Sequence, residues 1–251
     1  MSFSLSHPKI TVIISVLNGE KTLEKCLQSI FCQIYSPLEV IVIDGLSTDG
    51  TIHILEKYSE KIGYWVSEPD TGIYNAWNKA LQKSSGDWIC FLGCDDWWHS
   101  SDSLLKLAEH AHYPDNNFVS GKMYLVDENK NIIRSVGEAL SYRGLGFGLR
   151  IAHPGALHHR SLFEAYGCFD ESYRIAGDYE FLLRSSSSLK STFVSKNIVC
   201  MGIGGISQSN WKLTAKEGYR ALKNAESFGY FAAIRLYVRF YLAKIKNFIL
   251  G

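Results

Sequence analysis

Residues 38–49 read LEVIVIDGLSTD, an apolar, β-branched run that ends in an aspartate and a polar turn. A short run of this kind, bounded by turn residues, is typical of a strand buried in a parallel sheet. One similar run precedes it at 9–16, and two more follow at 62–67 and 87–92. Apolar residues recur at helical spacing between and after these strands, at 20–33, 48–59, 72–83 and 100–112. This alternation predicts a doubly wound α/β layer with right-handed crossovers.

The second half of the chain has a less regular pattern. Residues 118–126 and 131–136 are predicted to form a hairpin, and 142–148 reads as a glycine-rich loop. The remaining predicted elements are short helices at 160–167 and 177–187, a strand at 192–200, and C-terminal helices at 212–228 and 230–250. We therefore predict one domain over residues 1–210, followed by a helical extension over 211–251.

The composition excludes several classes of protein. Of the 251 residues, 46% are hydrophobic and 20% are charged, so the chain can bury a sizeable core. Its formal net charge of +1 lacks the basic excess of a nucleic-acid-binding protein, so no nucleic-acid partner is predicted. The six cysteines have no Cys-x-x-Cys spacing, which favours free thiols in a reducing compartment. The N-terminus does not resemble a signal peptide and the chain has no apolar stretch of about 18 residues, which predicts a cytoplasmic protein.

The turn after the first strand excludes the common nucleotide-binding loops. It reads SVLNGEKT at 15–22, without the Gly-x-Gly-x-x-Gly of dinucleotide sites or the Gly-Lys-Ser/Thr of a P-loop. The chain also lacks the Gly-x-Ser-x-Gly turn of α/β-hydrolases. Dinucleotide chemistry, P-loop phosphoryl transfer and hydrolase-type acyl transfer are therefore disfavoured.

Acidic residues follow three of the four predicted strands. In a sheet of this kind, ligands bind beyond the carboxyl ends of the strands, where Asp44, Asp70 and the pair Asp95–Asp96 are expected. A single aspartate after a strand is usually a turn or cap residue. Three such sites on one edge repel one another unless a cation or hydrogen-bond donors intervene.

The pair Asp95–Asp96 offers two hard oxygen ligands at the end of the fourth strand. Such ligands suit Mg²⁺ or Mn²⁺, which take further ligands from water and substrate phosphates. The alternative is a negatively charged cap for the helix that follows. Taken alone, the pair leaves both readings open.

Four segments occur in an order that resembles a known enzyme family. They are SVLNGEKTLEKCLQSI at 15–30, VIVIDGLSTDGT at 40–51, SEPDTGIYNAWNKALQKSSGDWICFLGCDDWW at 67–98, and FDESYRIAGDYEFLLR at 169–184. Together they resemble the family 2 nucleotide-sugar-dependent glycosyltransferases, and the resemblance covers about residues 9–207. It implies the GT-A fold, a Rossmann-like, mainly parallel sheet flanked by helices.

The resemblance implies a set of donor-binding positions. Asp44 matches the acidic residue that reads the base and ribose of the nucleotide, and Asp49 in the same turn is interpreted as a helix cap. Residues 15–18 would form the floor under the base. The implied nucleotide-sugar-binding residues are Ser15, Val16, Asn18, Asp44, Ser47, Asp70, Gly72 and Asp95.

The resemblance also implies a metal site and a catalytic base. The family's metal motif is often Asp-x-Asp-Asp, but its first position here is Gly93, which leaves Asp95 and Asp96 to hold Mn²⁺ or Mg²⁺. Which of the two touches the metal stays open. Asp178 matches the base that deprotonates the acceptor hydroxyl. Direct displacement by this one activated hydroxyl would invert the configuration of the anomeric carbon. Glu180 is its nearest competitor, although two residues further along a helix it would point to another face.

Acceptor-side positions and partners complete the prediction. His153, Trp97 and Glu180 are candidate acceptor-side residues, and the acceptor would be a saccharide or lipid-linked saccharide in a bacterial cell-surface polysaccharide pathway. The helix at 230–250 is basic and rich in aromatics, with Arg235 and Arg239 on one stripe, which suits the inner face of an anionic membrane. A helix packed on the core, or a dimer contact, is the alternative. The oligomeric state stays open.

The predicted activity is transfer of a sugar from a nucleoside diphosphate sugar, most simply a UDP-sugar, with inversion and metal assistance. Two alternatives are kept. A sugar nucleotidyltransferase would also use an α/β layer and Mg²⁺, but residues 15–20 lack its glycine-rich triphosphate loop. A catalytically silent membrane scaffold with the same fold is the other.

Overall fold

The computed structural model describes residues 7–225, 228, 232–239 and 242. Its first half alternates strands and helices as the sequence predicts, with β5 as an unpredicted two-residue addition. The elements are β1 (Ile10–Val16), α1 (Leu23–Phe31), β2 (Leu38–Asp44), α2 (Thr51–Lys57), β3 (Tyr64–Ser67), α3 (Ile73–Lys83), β4 (Trp88–Gly93), β5 (Trp97–Trp98) and α4 (Ser103–Ala108).

The second half contains the predicted hairpin and helices together with three short elements that the sequence pattern did not reveal. Its elements are β6 (Phe118–Val126), β7 (Ile132–Val136), α5 (Tyr142–Leu145), β8 (Leu157–His159), α6 (Arg160–Tyr166), α7 (Gly177–Arg184), β9 (Ser191–Gly202), α8 (Ile206–Ser209) and α9 (Trp211–Asn224). A further helix occupies 232–239. The predicted loop at 142–148 is wrong in its first half, because Ser141 caps a single helical turn there by accepting from the Gly144 N–H.

Within the described residues, nine strands form one mixed sheet in the order β3-β2-β1-β4-β8-β6-β9-β5, with β7 paired to β6. The first four strands are parallel, β8 runs antiparallel to both β4 and β6, and β6 is parallel to β9. The register places Asp44 opposite Val16 on one side and Ser67 on the other. Ser15 lies opposite Gly93. The carboxyl ends of β1 to β4 therefore meet at one edge.

The central strands are buried on both faces, which explains their unbroken apolar runs. Along β1, Val12 and Ile14 pack in the layer that contains α1 and α2, whereas Ile13 packs in the layer that contains α3 and α7. Because side chains alternate across a strand, each run supplies both layers. Burial of one such side chain contributes about 1.5–3 kcal/mol to folding.

The C-terminal helices join the second apolar layer. Ala221 and Leu222 of α9 are buried there beside α7, and Ala233 and Leu236 bury the inner side of helix 232–239. Division of the chain at residue 210 stays a prediction.

Helix 232–239 covers part of the predicted membrane-facing helix at 230–250. Of the remaining positions in that prediction, the structure describes only 242. Arg235 donates to the Gly146 carbonyl at 3.0 Å, and Arg239 donates to the Phe147 carbonyl at 3.2 Å. Both residues are exposed, and packing of the helix on the core turns their guanidinium groups towards the chain around α5. Binding of this helix to a membrane stays a prediction. Among the residues described, no helix combines the length and apolar character needed to cross a bilayer.

A completely buried histidine occupies the second layer. His158 of β8 packs against Phe118 and Phe91, with ring centroids 4.9 and 5.6 Å away, and lies 5.1 Å from the ring of His153. Burial, together with the neighbouring His153, lowers the pKa of His158 well below its ordinary value. The folded protein therefore holds this ring neutral.

This burial predicts an acid-sensitive stability. An unfolded chain protonates His158 below an ordinary pKa of about 6.5, whereas the folded protein does not. The group therefore removes about 2 kcal/mol of unfolding free energy as the pH falls from about 7 to 5. We expect urea unfolding to show a smaller loss of unfolding free energy between these two pH values for His158→Leu than for the wild type. Exposed His110→Gln is the control and should lose stability as the wild type does; an unaltered loss in His158→Leu would contradict the prediction.

Candidate active site

The turns after β1 and β2 are tied together by side-chain hydrogen bonds. The Asn18 N–H donates to Ser47 Oγ at 2.7 Å, and the Thr48 N–H donates to Asn18 Oδ1 at 2.9 Å. Asn18 has a φ of +54°, a left-handed conformation that asparagine tolerates better than most residues. Asp49 accepts from the Thr51 N–H at the start of α2, in keeping with its interpretation as a cap.

Asp44 is completely buried below this pair of turns. Its carboxylate accepts from the Ser47 N–H at 3.0 Å, from Ser67 Oγ at 2.6 Å, and from the Ser47 hydroxyl. Neighbouring Val16 is buried as well, and its carbonyl accepts from the Gly45 N–H at 2.9 Å. In this arrangement Asp44 organises the three strand ends from within. Direct contact between Asp44 and the base of a nucleotide stays a prediction. It requires Ser47 or Ser67 to release the carboxylate.

The turn after β3 approaches the same edge. Asp70 Oδ1 accepts from the Gly72 N–H at 2.9 Å, while its Oδ2 lies 2.6 Å from the position that a Cβ atom on Gly45 would occupy. Only a residue without a side chain at 45 allows this approach. Arg174 crosses from the segment before α7 and donates to the Thr71 carbonyl at 2.7 Å. Asp70 and Gly72 therefore line one continuous rim with the β2 turn.

The two carboxylates after β4 fold back over Gly93. Asp95 Oδ1 and Asp96 Oδ2 each lie 2.8 Å from the position that a Cβ atom on Gly93 would occupy, so the glycine makes the space in which they meet. Asp95 is exposed, whereas Asp96 is only 4% exposed. Burial, and then the charge of Asp95, raises the pKa of Asp96 well above its ordinary value.

The residues after β4 fit a divalent cation. Asp96 Oδ2 accepts from the Gly93 N–H at 3.2 Å, but the buried Oδ1 has no hydrogen-bond partner. A buried carboxylate oxygen without a partner is costly, and a cation is one group that would satisfy it. The described part of the chain has no cluster of three or more Asp, Glu, His or Cys side chains suited to a metal. Two carboxylates suffice for Mg²⁺-like ions when a substrate phosphate supplies further ligands.

Asp178 lies in the first turn of α7, beside α3 and the segment before β8. Tyr74 Oη is 3.3 Å from Asp178 Oδ1, and His153 Nδ1 is 3.9 Å from Asp178 Oδ2. Burial raises the pKa of Asp178 to about 6 and lowers the pKa of His153 to about 4. Near neutral pH the pair therefore consists of a carboxylate close to its titration range and a neutral imidazole, which suits a general base.

A chain of ring contacts connects Asp178 to the end of β4. The ring of His153 stacks on Phe91 with centroids 6.2 Å apart, and Trp77 stacks on His153 at 5.8 Å. Phe91 precedes Gly93 by two residues along β4. The base candidate is thereby linked through His153 to Phe91, near the carboxyl end of β4.

Two predicted acceptor-side residues have other partners. The Trp97 ring is covered by the Lys25 ammonium, 3.2 Å from the ring centroid. Glu180 forms two hydrogen bonds with Arg184, at 2.8 and 3.1 Å, and lines a groove between α7 and α9. The structure therefore brings Asp178 and His153 together but places Glu180 on the other side of α7, as its two-residue separation predicted.

Sequence reasoning missed Ser67 and Tyr74, which contact Asp44 and Asp178. Ser67 ends a strand next to Asp44, so the alignment of strand ends is the signal that points to it. Tyr74 reads as an ordinary core position on α3, and only the tertiary structure brings it to Asp178.

An α/β sheet with helices on both faces and carboxylates at the ends of its parallel strands belongs to the class of proteins that bind ligands at this edge of the sheet. Residues 11–170 match the family model described as "Glycosyl transferase family 2". The chain belongs to this family and is a glycosyltransferase. Membership favours sugar transfer over the nucleotidyltransferase and scaffold alternatives.

Relatives of known name agree with this assignment. The chain is 30% identical over 189 residues to a "PGL/p-HBAD biosynthesis glycosyltransferase" of Mycobacterium bovis, covering 73% of this chain and 72% of the relative. It superimposes on S. aureus TarS 1–349 in complex with UDP-GlcNAc with a TM-score of 0.69 and 20% identity, covering 93% and 71% of the two chains. The mannosyltransferase PcManGT of Pyrobaculum calidifontis, in complex with GDP-Man and Mn²⁺, gives 0.69 and 21%, covering 93% and 70%. At these identities the structural likeness shows the GT-A fold.

The hydrogen bonds of Asp44 predict a large cost for its removal. Asp44→Ala leaves the Ser47 N–H and two serine hydroxyls without their acceptor, so we expect a loss of about 1–3 kcal/mol in unfolding free energy, measured in urea. Ser67→Ala removes one of these bonds and should cost about 1 kcal/mol or less. If Asp44→Ala were as stable as the wild type, Asp44 would not organise the strand ends.

Proposed function

We propose that this glycosyltransferase moves a sugar from a UDP-sugar to a hydroxyl of a saccharide or lipid-linked saccharide, with inversion at the anomeric carbon. The observation that carries the proposal is the position of Asp178, one partly buried carboxylate next to His153, whose ring stacks on Phe91 near the carboxyl end of β4. The bound nucleotide sugars of TarS and PcManGT support a nucleoside diphosphate donor.

The donor would lie along the edge formed by β1 to β4. Ser15, Asn18 and Ser47 offer backbone and side-chain polar groups on the side of the base, with Asp44 bonded below them. Asp70 and Gly72 would border the donor on the β3 side. The resemblance to the family and the convergence of these turns both support a nucleotide at this edge.

Asp96 and Asp95 are the residues that would hold Mn²⁺ or Mg²⁺. The unpartnered Oδ1 of Asp96 supports direct ligation by this residue. Exposed Asp95 could reach a coordinated water or a sugar hydroxyl. A divalent cation, when bound, neutralises charge on the departing diphosphate, and Mn²⁺ in the PcManGT complex supports this use of a metal.

Asp178 performs the proton transfer in this proposal. The acceptor oxygen forms a bond to the anomeric carbon while Asp178 takes its proton and the bond to the diphosphate oxygen breaks. A single displacement from the side opposite the leaving group inverts the configuration. Because the pKa of Asp178 is raised to about 6, its basic form predominates above that pH and the rate should fall as the pH drops through it.

The test is UDP release from UDP-GlcNAc, UDP-glucose and UDP-galactose, with Mn²⁺ and with EDTA. We expect slow release by water attack with one donor, suppressed by EDTA and by Asp96→Asn. Asp178→Asn should lower turnover by roughly 10²–10⁴-fold while UDP binding, measured by calorimetry, persists. Normal turnover of Asp178→Asn would remove the base assignment. Pyrophosphate formation from UTP and a sugar phosphate would instead indicate a nucleotidyltransferase.

We also propose that the protein works at the inner face of a bacterial membrane, where lipid-linked acceptors are found. Ile234, Val238 and Leu242 are exposed and recur every four residues, so they form an apolar stripe on the outer side of the C-terminal helix. An amphipathic helix can insert such a stripe at a membrane surface.

Flotation with vesicles of phosphatidylglycerol and phosphatidylethanolamine tests this location. We expect the full chain to float, and the triple variant Ile234→Ser, Val238→Ser, Leu242→Ser to remain in the pellet fraction with an unchanged melting temperature. A chain that ends near Phe228 should behave like the triple variant. Equal flotation of all three proteins would count against membrane binding by the tail.

A further inference from the structure

A buried carboxylate on α9 binds the chain directly before the helix that carries Asp178. Glu217 is only 5% exposed. It accepts hydrogen bonds from three consecutive backbone N–H groups: Oε1 from Arg174 at 2.9 Å, and Oε2 from Ile175 at 2.8 Å and Ala176 at 2.9 Å. A buried carboxylate is costly unless it is hydrogen-bonded, and these three donors satisfy it.

These bonds fix the segment that leads into α7, including the N–H of its N-cap residue. The N-cap residue of α7 is Ala176, whose side chain has no oxygen to accept from the first turn. The Glu217 carboxylate binds the segment from the outside instead, and its negative charge lies at the positive end of the helix dipole. The start of α7 is therefore fixed by a residue of a different helix.

Asp178 follows Ala176 by two residues, so the direction of its side chain depends on this anchor. Three other elements surround it: Tyr74 comes from α3, His153 comes from the segment before β8, and Glu217 lies across the start of α7. The Ile175 carbonyl also accepts from Tyr74 Oη at 2.7 Å, so the anchored segment holds Tyr74 as well.

We propose that Glu217 is a positioning residue for the catalytic base, and that α9 is thereby part of the active site of this enzyme. The inference rests on the proposed function of Asp178. Glu217 touches neither donor nor acceptor; it sets where the Asp178 carboxylate lies and which charge faces it.

The charge of Glu217 gives the proposal a distinctive readout. Burial is the main reason for the raised pKa of Asp178, and the negative charge of Glu217 raises this pKa further. Removing that charge lowers the pKa of Asp178. Because the base acts in its ionised form, the acid limb of the rate profile should move to lower pH. A residue that attached α9 to the core without a charge near Asp178 would not produce this shift.

The experiment compares wild type, Glu217→Gln, Glu217→Asp and Asp178→Asn. It measures UDP release from about pH 5 to 9, with whichever of the three UDP-sugars the wild type uses. We expect Glu217→Gln to lower kcat roughly 10- to 100-fold by misplacing the base, with KM for the donor unchanged and the acid limb at lower pH. Glu217→Asp keeps the charge but has a shorter reach, so it should lower kcat and leave the acid limb in place. Glu109→Gln, at the exposed residue that follows α4, is the matched control and should match the wild type.

Each outcome separates the two proposals. Wild-type turnover in Asp178→Asn would overturn the proposed base itself. Loss of activity in Asp178→Asn, combined with a wild-type kcat or an unshifted acid limb in Glu217→Gln, would overturn the role of Glu217 alone. If Glu217→Gln does not fold, Glu217→Asp decides: an unchanged kcat would overturn the proposal, and a lowered kcat with normal UDP binding would support it.

Discussion

Parallel pairing of β1 with β2 and β4 is the constraint on which the site depends. The hydrogen-bond register brings Val16, Asp44 and Ser67 side by side and places Ser15 opposite Gly93. Because parallel strands run in the same direction, the turns that follow their carboxyl ends lie at the same edge of the sheet. Burial of the strands on both faces holds that register, since a slip of one residue would exchange the two apolar layers.

Buried carboxylates around this edge and at the start of α7 have their hydrogen bonds satisfied in different ways. Asp44 and Glu217 are each surrounded by hydrogen-bond donors from the protein. Asp96 has one oxygen without a donor, and burial dominates the environment of Asp178. A buried carboxylate that lacks hydrogen-bond donors has a higher free energy in its charged form. Such groups are typical of sites that a ligand completes or that transfer protons.

The two halves of the chain contribute different parts of the site. The parallel half provides the strand ends and their carboxylates, whereas α7 and its support from α9 provide the proposed base. The ring contacts of His153 with Trp77 and Phe91 connect the halves through the second apolar layer. Rigid packing of this kind suits a reaction in which the base, the donor and the acceptor must keep fixed positions.

Local periodicity predicted the alternating strands and helices and their shared edge, and motif order pointed to the candidates Asp44, Asp95, Asp96 and Asp178. The packing of the chain was needed to show that Asp44 is buried under Ser47 and Ser67, and that Glu180 pairs with Arg184. It also showed the short strands β5 and β8, which contain too few residues for a pattern. The contact between Glu217 and the start of α7 joins residues more than 40 positions apart. Local spacing carries no information about such contacts, because they depend on how the helices pack across the sheet.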